Sequence, residues 1–110
     1  MDIQYIKNNI HEGMTFEKVK CSSKVLKVMD DGFTYTIGKN GNKKKVTFNE
    51  IQSAISKIET DGYIDRKWHQ TSFPAIAKAC PCNFTSIGGI LRKFEYANYS
   101  NKRYVKNKDE

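Results

Sequence analysis

The chain has 110 residues, 38% of them hydrophobic, with six Phe, six Tyr and one Trp. That supplies one core and is too little for two independent ones, so a single domain is expected. Lys and Arg number 19 against 12 Asp and Glu, giving a formal charge of +7, which points to a polyanionic partner because cationic surfaces neutralise phosphates and release condensed counterions. Surface lysines that serve solubility alone would give the same total. The apolar positions of residues 3–10 are interrupted by Gln4, Lys7, Asn8 and Asn9, so neither a secretory leader nor a membrane span is expected. Three cysteines, Cys21, Cys80 and Cys82, form an odd set that suits a reducing, intracellular compartment, the cytoplasm by default.

In chain order, residues 2–12 read as a short helix, with Asp2 as N-cap, Ile3, Ile6 and Ile10 at helical spacing, and Gly13 after its end. Residues 14–20 alternate weakly through Phe16 and Val19. Val25, Leu26, Val28 and Met29 form a clearer strand, ended by the turn sequence Asp30-Asp31-Gly32. Phe33, Tyr35 and Ile37 alternate with polar residues as a half-buried strand. A turn at Asn40-Gly41 then leads to a lysine-rich strand over residues 43–48. Together these predict an antiparallel β-meander with a short N-terminal helix over residues 1–46.

The next helix has the most explicit start. Thr47-Phe48-Asn49-Glu50 fits a capping box, Val46 and Ile51 fit a hydrophobic staple, Ile51, Ala54, Ile55 and Ile58 make one stripe, and Asp61-Gly62 closes it. Asn49 is an alternative N-cap. Residues 63–68 read as an extended connector anchored by Trp68.

Residues 73–104 carry the functional signal: a short apolar helix, a Pro-containing turn, an amphipathic helix over about 84–96 with Asn83 as N-cap, and a basic hairpin over 96–106. Two helices crossing over a tight turn bury the fourth, fifth and eighth residues of the first and the fifteenth and eighteenth of the unit. Counted from Phe73, these are Ile76, Ala77, Cys80, Ile87 and Ile90, with Cys82 as a further apolar position. With Ile87, Ile90, Leu91 and Phe94 inward, the second helix shows Thr85, Ser86, Gly89, Arg92 and Lys93 outward. Its unpaired first-turn N–H groups suit a phosphate. The pair Gly88-Gly89, at about 1 kcal/mol of helix propensity each, fits the close approach of either a phosphate or a neighbouring element. Residues 84–108 hold six Lys and Arg against Glu95, a net of +5, placing much of the basic excess on this helix and the hairpin.

This run resembles the helix-turn-helix family over about twenty residues. It departs from it at Pro81, which stands where Gly is usual and which cannot adopt a positive φ. The order Ile-Leu-Arg-Lys-Phe followed by Lys-Arg-Tyr further resembles the end of small winged-helix domains of phages and other mobile elements. The resemblance covers residues 47–106 and leaves residues 1–46 outside it. It implies an α+β fold in which the meander packs with a C-terminal three-helix winged helix-turn-helix, followed by a charged tail over 107–110. It also implies duplex DNA as the partner, transcription regulation as the use, and a homodimer on a two-fold site. The expected contacts are Thr85, Ser86, Gly89, Arg92 and Lys93 on the helix and Lys102, Arg103 and Lys106 on the wing.

Other readings stay open. A small basic protein of this kind could contact a protein, for instance as an inhibitor of a nucleic-acid enzyme. The meander face with Tyr35 and Lys43 to Lys45 could hold RNA or a single strand. Tyr96, Tyr99 and Tyr104 read first as hairpin packing, and second as stacking platforms. Catalysis is not expected: Asp61, Asp65, His69, Cys80 and Cys82 form no recognised constellation. Cys80 and Cys82, one residue apart with His11 and His69 the only histidines, are a poor zinc set, so neither a metal nor another cofactor is expected.

Overall fold

A computed structural model describes residues 1–37 and 41–107. Asn40, half of one expected turn, and residues 108–110 of the expected tail, including Lys108, lie outside the described residues. The fold is α+β. A first helix, α1 (Ile3–Asn9), precedes four strands, β1 (Thr15–Glu17), β2 (Ser22–Met29), β3 (Gly32–Ile37) and β4 (Asn42–Thr47), which form an antiparallel sheet in that order. Asp2 caps α1 by accepting from the Tyr5 N–H. Alternation places Val25, Phe33, Tyr35 and Val46 on the buried face, and Phe16, Phe33 and Tyr35 pack edge to face.

Helix α2 (Phe48–Asp61) follows β4 directly. Thr47 and Glu50 form the expected reciprocal capping box, and Gly62 ends the helix at φ +89, a conformation that favours glycine. Ile51, Ala54 and Ile58 are fully buried, each isoleucine contributing roughly 1.5–3 kcal/mol by leaving water.

The connector expected over 63–68 is a strand followed by a helix: β5 (Tyr63–Asp65) and α3 (Arg66–Ser72). Asp65 caps α3 by accepting from the Trp68 N–H at 2.9 Å, and Trp68 and His69 face inward. Seven residues with just two buried give too short a stripe to read as a helix. Phe73 (φ −135, ψ 63) breaks the chain before Pro74, which opens α4 (Pro74–Ala79), because proline has no N–H to continue α3. Helix α5 (Asn83–Lys93) ends three residues earlier than expected, where Glu95 turns to φ +60. Strands β6 (Ala97–Ser100) and β7 (Arg103–Lys106) form the hairpin, and β5 pairs with β7 to give a second sheet of order β5-β7-β6.

The helical pair is not closed on itself as the spacing predicts. Ala77 is buried, but Ile76 and Cys80 are half-buried, and α4 packs mainly on α3. Helix α5 instead lies between the two sheets, against β1 and β4 on one side and β6 on the other, and also touches α2. Gly88 and Gly89 make this possible. A Cβ on Gly88 would collide with the Tyr104 ring, and one on Gly89 would stand 2.5 Å from the Glu17 carbonyl oxygen and 2.8 Å from the Phe16 ring. The close approach is intramolecular. Phe94, expected inward, is half-buried at the end of α5 with its ring against Tyr5 of α1.

Candidate nucleic-acid interface

The turn between α4 and α5 contains no left-handed residue: Cys80, Pro81 and Cys82 all keep negative φ. Cys82 (φ −67, ψ −13) is the N-cap residue, and its carbonyl accepts from the Ser86 N–H at 3.2 Å and from the hydroxyls of Thr85 and Ser86, both at 3.1 Å. Arg66 donates to the Pro81 carbonyl at 2.9 Å, with its guanidinium 5.1 Å over the Phe84 ring. The Pro-containing turn is thus held by a side chain from α3.

Asn83 is not the N-cap. Its side chain turns inward and accepts from the Tyr35 hydroxyl at 2.5 Å, while its Nδ2 donates to the Lys45 carbonyl at 2.9 Å and to Glu50 at 3.2 Å. Glu50 is fully buried and accepts from the backbone and hydroxyl of Thr47 and from His69 Nε2 at 2.9 Å, with His69 1% exposed. Burial pushes the Glu50 carboxyl up. The donors from His69, the Thr47 backbone, Asn83 and the Thr47 hydroxyl outweigh it, so the group sits below its ordinary value. Burial also drives the Tyr35 hydroxyl upward, as does the Cys82 thiol 3.3 Å away. This seam joins β3, β4, α2, α3 and α5. Tyr35 is fully buried within it, which removes it as a stacking platform for RNA or a single strand. Lys45 is paired with Asp31 at 2.8 Å.

One residue further along α5 the surroundings change. A cleft of about 510 Å³ opens between the β1–β2 loop, the start of α3, the first turn of α5 and the hairpin. Buried Phe84 and the more exposed Val19 and Tyr99 line it together with Lys18, Lys20, Arg66 and Lys102, and with Thr85 and Cys21. Among the described residues no Asp or Glu lines it. Lys18 lies 5.3 Å over the Tyr35 ring and donates to the Cys82 carbonyl at 3.5 Å, and burial holds its ammonium below the ordinary lysine value. Lys102 has φ +65 and Asn101 φ +52, the pattern of a two-residue type I′ hairpin turn. Lysine at such a position costs conformational energy that glycine would not. The cost is borne where the side chain meets the cleft.

The residues expected to contact a ligand therefore fall into separate places. Thr85 and Lys102 share the cleft. Gly89, Arg92 and Lys93 border a separate, smaller groove with Thr15, Phe16 and Glu17. Ser86 and Gly89 are buried rather than outward, because β1 covers the face of α5 expected to read a groove. Arg103 is exposed, with its guanidinium 4.3 Å over Tyr63. Lys106 pairs with Glu59 at 2.9 Å, and Glu59 also accepts from the Tyr96 hydroxyl. Tyr96 and Tyr104 are buried, as hairpin packing requires, and burial pushes the Tyr104 hydroxyl up to about 12. Tyr99 differs, being 37% exposed.

Lys18, Lys20 and Arg66 had no motif to reveal them. They come from a loop and a helix start more than forty residues apart, and the fold alone brings them together. Cys21, Cys80 and Cys82 are free thiols. No described helix is long and apolar enough to cross a membrane.

Compared with family models, curated proteins and solved structures, the chain matches none.

Proposed function

We propose that the protein binds nucleic acid, with duplex DNA as the partner, and that the cleft between the β1–β2 loop and the hairpin turn grips the phosphate backbone. The observation that carries the reading is the convergence of Lys18, Lys20, Arg66 and Lys102 around one opening that no described carboxylate shares. Four cations lining one cleft would neutralise phosphates and leave a measurable salt dependence. The element order supports a winged helix-turn-helix: α2, β5, α3 with α4, α5, then the β6–β7 hairpin, with β5 added to the edge of β7. In that arrangement the hairpin is the wing and Lys102 is at its tip.

Helix α5 has a different part from the one its sequence implies. With Ser86 and Gly89 covered by the meander, its middle is closed to a major groove, and contact is limited to its first turn at Thr85 and its last at Arg92 and Lys93. Phosphate contacts position a protein and carry little sequence information, so weak sequence preference is expected. The test is a fluorescence-anisotropy titration with duplex DNA, single-stranded DNA and structured RNA at two salt concentrations. Duplex binding that weakens steeply with salt supports the reading. The absence of binding to all three rejects it in favour of a protein-contact role.

A further inference from the structure

The cleft is more than a ring of cations. Its interior is mostly apolar, and a bare phosphate or the outside of a double helix offers nothing to fill such a space. Duplex DNA presents sugars and phosphates outward and keeps its base faces stacked on one another. A nucleotide whose base is unpaired presents both chemistries at once, a flat apolar face and an adjacent phosphate. The volume, about 510 Å³, falls within the range of pockets that enclose a small organic group.

The aromatic wall is braced for such a contact. Tyr99 meets Tyr104 edge-on at 5.2 Å, and Tyr104 meets Phe84 at 5.4 Å, so the ring at the opening is backed by a buried ladder. Val19 lines the same cleft and is 44% exposed, an unusual place for a branched apolar side chain on a loop flanked by Lys18 and Lys20. An aromatic side chain already held in position gives up little freedom on stacking. Arg66 and Lys102 lie beside the same wall, where the phosphates flanking an inserted base would run.

From this juxtaposition we infer that the cleft takes an unpaired nucleotide, its base against Val19 and Tyr99 and its flanking phosphates on Lys18, Lys20, Arg66 and Lys102. The inference rests on the nucleic-acid reading above and narrows the ligand of the same site from any duplex, held by its phosphates alone, to nucleic acid that also offers an unpaired base. On a duplex, the site would engage a bulge, a gap or a frayed end; on a single strand, any nucleotide.

The experiment compares four labelled probes at one salt concentration: a blunt duplex, the same duplex with one bulged nucleotide, single-stranded DNA, and single-stranded RNA of the same sequence. The bulged and single-stranded probes are expected to bind about tenfold more tightly than the blunt duplex, the scale of one base–aromatic stack. Tyr99→Ala is expected to abolish that preference, and Tyr99→Phe to keep it. Val19→Asp, at an exposed position, is expected to weaken the unpaired probes most. A thermal melt of each variant checks that it is folded. DNA and RNA bound alike would support recognition of base and phosphate, whereas preference for one would add a contact to the sugar. Equal binding of all four probes, or a preference that survives both Tyr99→Ala and Val19→Asp, overturns the inference and leaves phosphate binding standing. Failure of every probe to bind overturns both.

Discussion

The first turn of α5 faces two environments that are close in space and opposite in chemistry. Asn83 points into a buried seam where every polar group named has a partner, with Glu50 and His69 almost wholly inaccessible. Phe84 and Thr85 border a cleft whose cations carry no carboxylate partner among its lining residues. The seam uses charge and hydrogen bonds to fix how the meander and the helices meet. Among the described residues no carboxylate lines the cleft, so its charge is open to a polyanion. Polar residues on the same turn thus meet a closed hydrogen-bond network on one side and an open cationic cleft on the other.

The seam holds the largest expected effects. Glu50→Ala removes the acceptor for the Thr47 backbone, His69 and Asn83 together, and should cost about 3–5 kcal/mol. Urea denaturation measures it, and a loss below 1 kcal/mol would break the contrast between seam and cleft. Next come the two glycines that let α5 fit between the sheets. Helix propensity alone favours Gly88→Ala or Gly89→Ala by about 1 kcal/mol. The collisions with the Tyr104 ring and the Glu17 carbonyl should reverse the sign and destabilise each by about 1–3 kcal/mol, read as a lower thermal midpoint.

Glu50 also gives the seam a pH signature. Its carboxyl lies below the ordinary value of 4.5 in the folded state. Its contribution is therefore fully present above that pH and is lost as pH falls through the depressed folded value. Acid titration of stability should show this loss, and Glu50→Gln should flatten it. The smallest effect belongs to the cleft. Lys102→Gly relieves the left-handed backbone and should stabilise the fold by about 1 kcal/mol, while weakening nucleic-acid binding. A variant that is more stable and binds less well would set the two regions apart within one substitution.

The sequence displays the elements better than their assembly. The capping box at Thr47 and Glu50, the glycine stop at Gly62 and the alternation of Phe33 and Tyr35 are local signals, and local physics decides them. Helix α3 carries no legible stripe, because Trp68 and His69 alone mark its buried face. The outward reading of Ser86 and Gly89 failed for a different reason. Amphipathic spacing gives the side of α5 that faces one core, and β1 builds a second contact on the opposite side from residues seventy positions away. Glu50 is legible as a cap, yet its pairing with His69 and Asn83 is a tertiary fact. In the candidate site, Thr85 and Lys102 could be reached from the resemblance, whereas Lys18, Lys20 and Arg66 have no spacing that announces them.

The most direct measurement is the salt dependence of duplex binding for the wild type, for Lys18→Ala/Lys20→Ala/Arg66→Ala/Lys102→Ala, and for Arg92→Ala/Lys93→Ala. Each phosphate contact contributes about 0.9 to the slope of log affinity against log salt. The cleft variant is expected to lose roughly 3.6 units of slope, one contact for each of its four cations, and most of its affinity, while the Arg92/Lys93 variant changes far less. The reverse order, with the end of α5 carrying the slope and the cleft contributing nothing, would contradict this expectation.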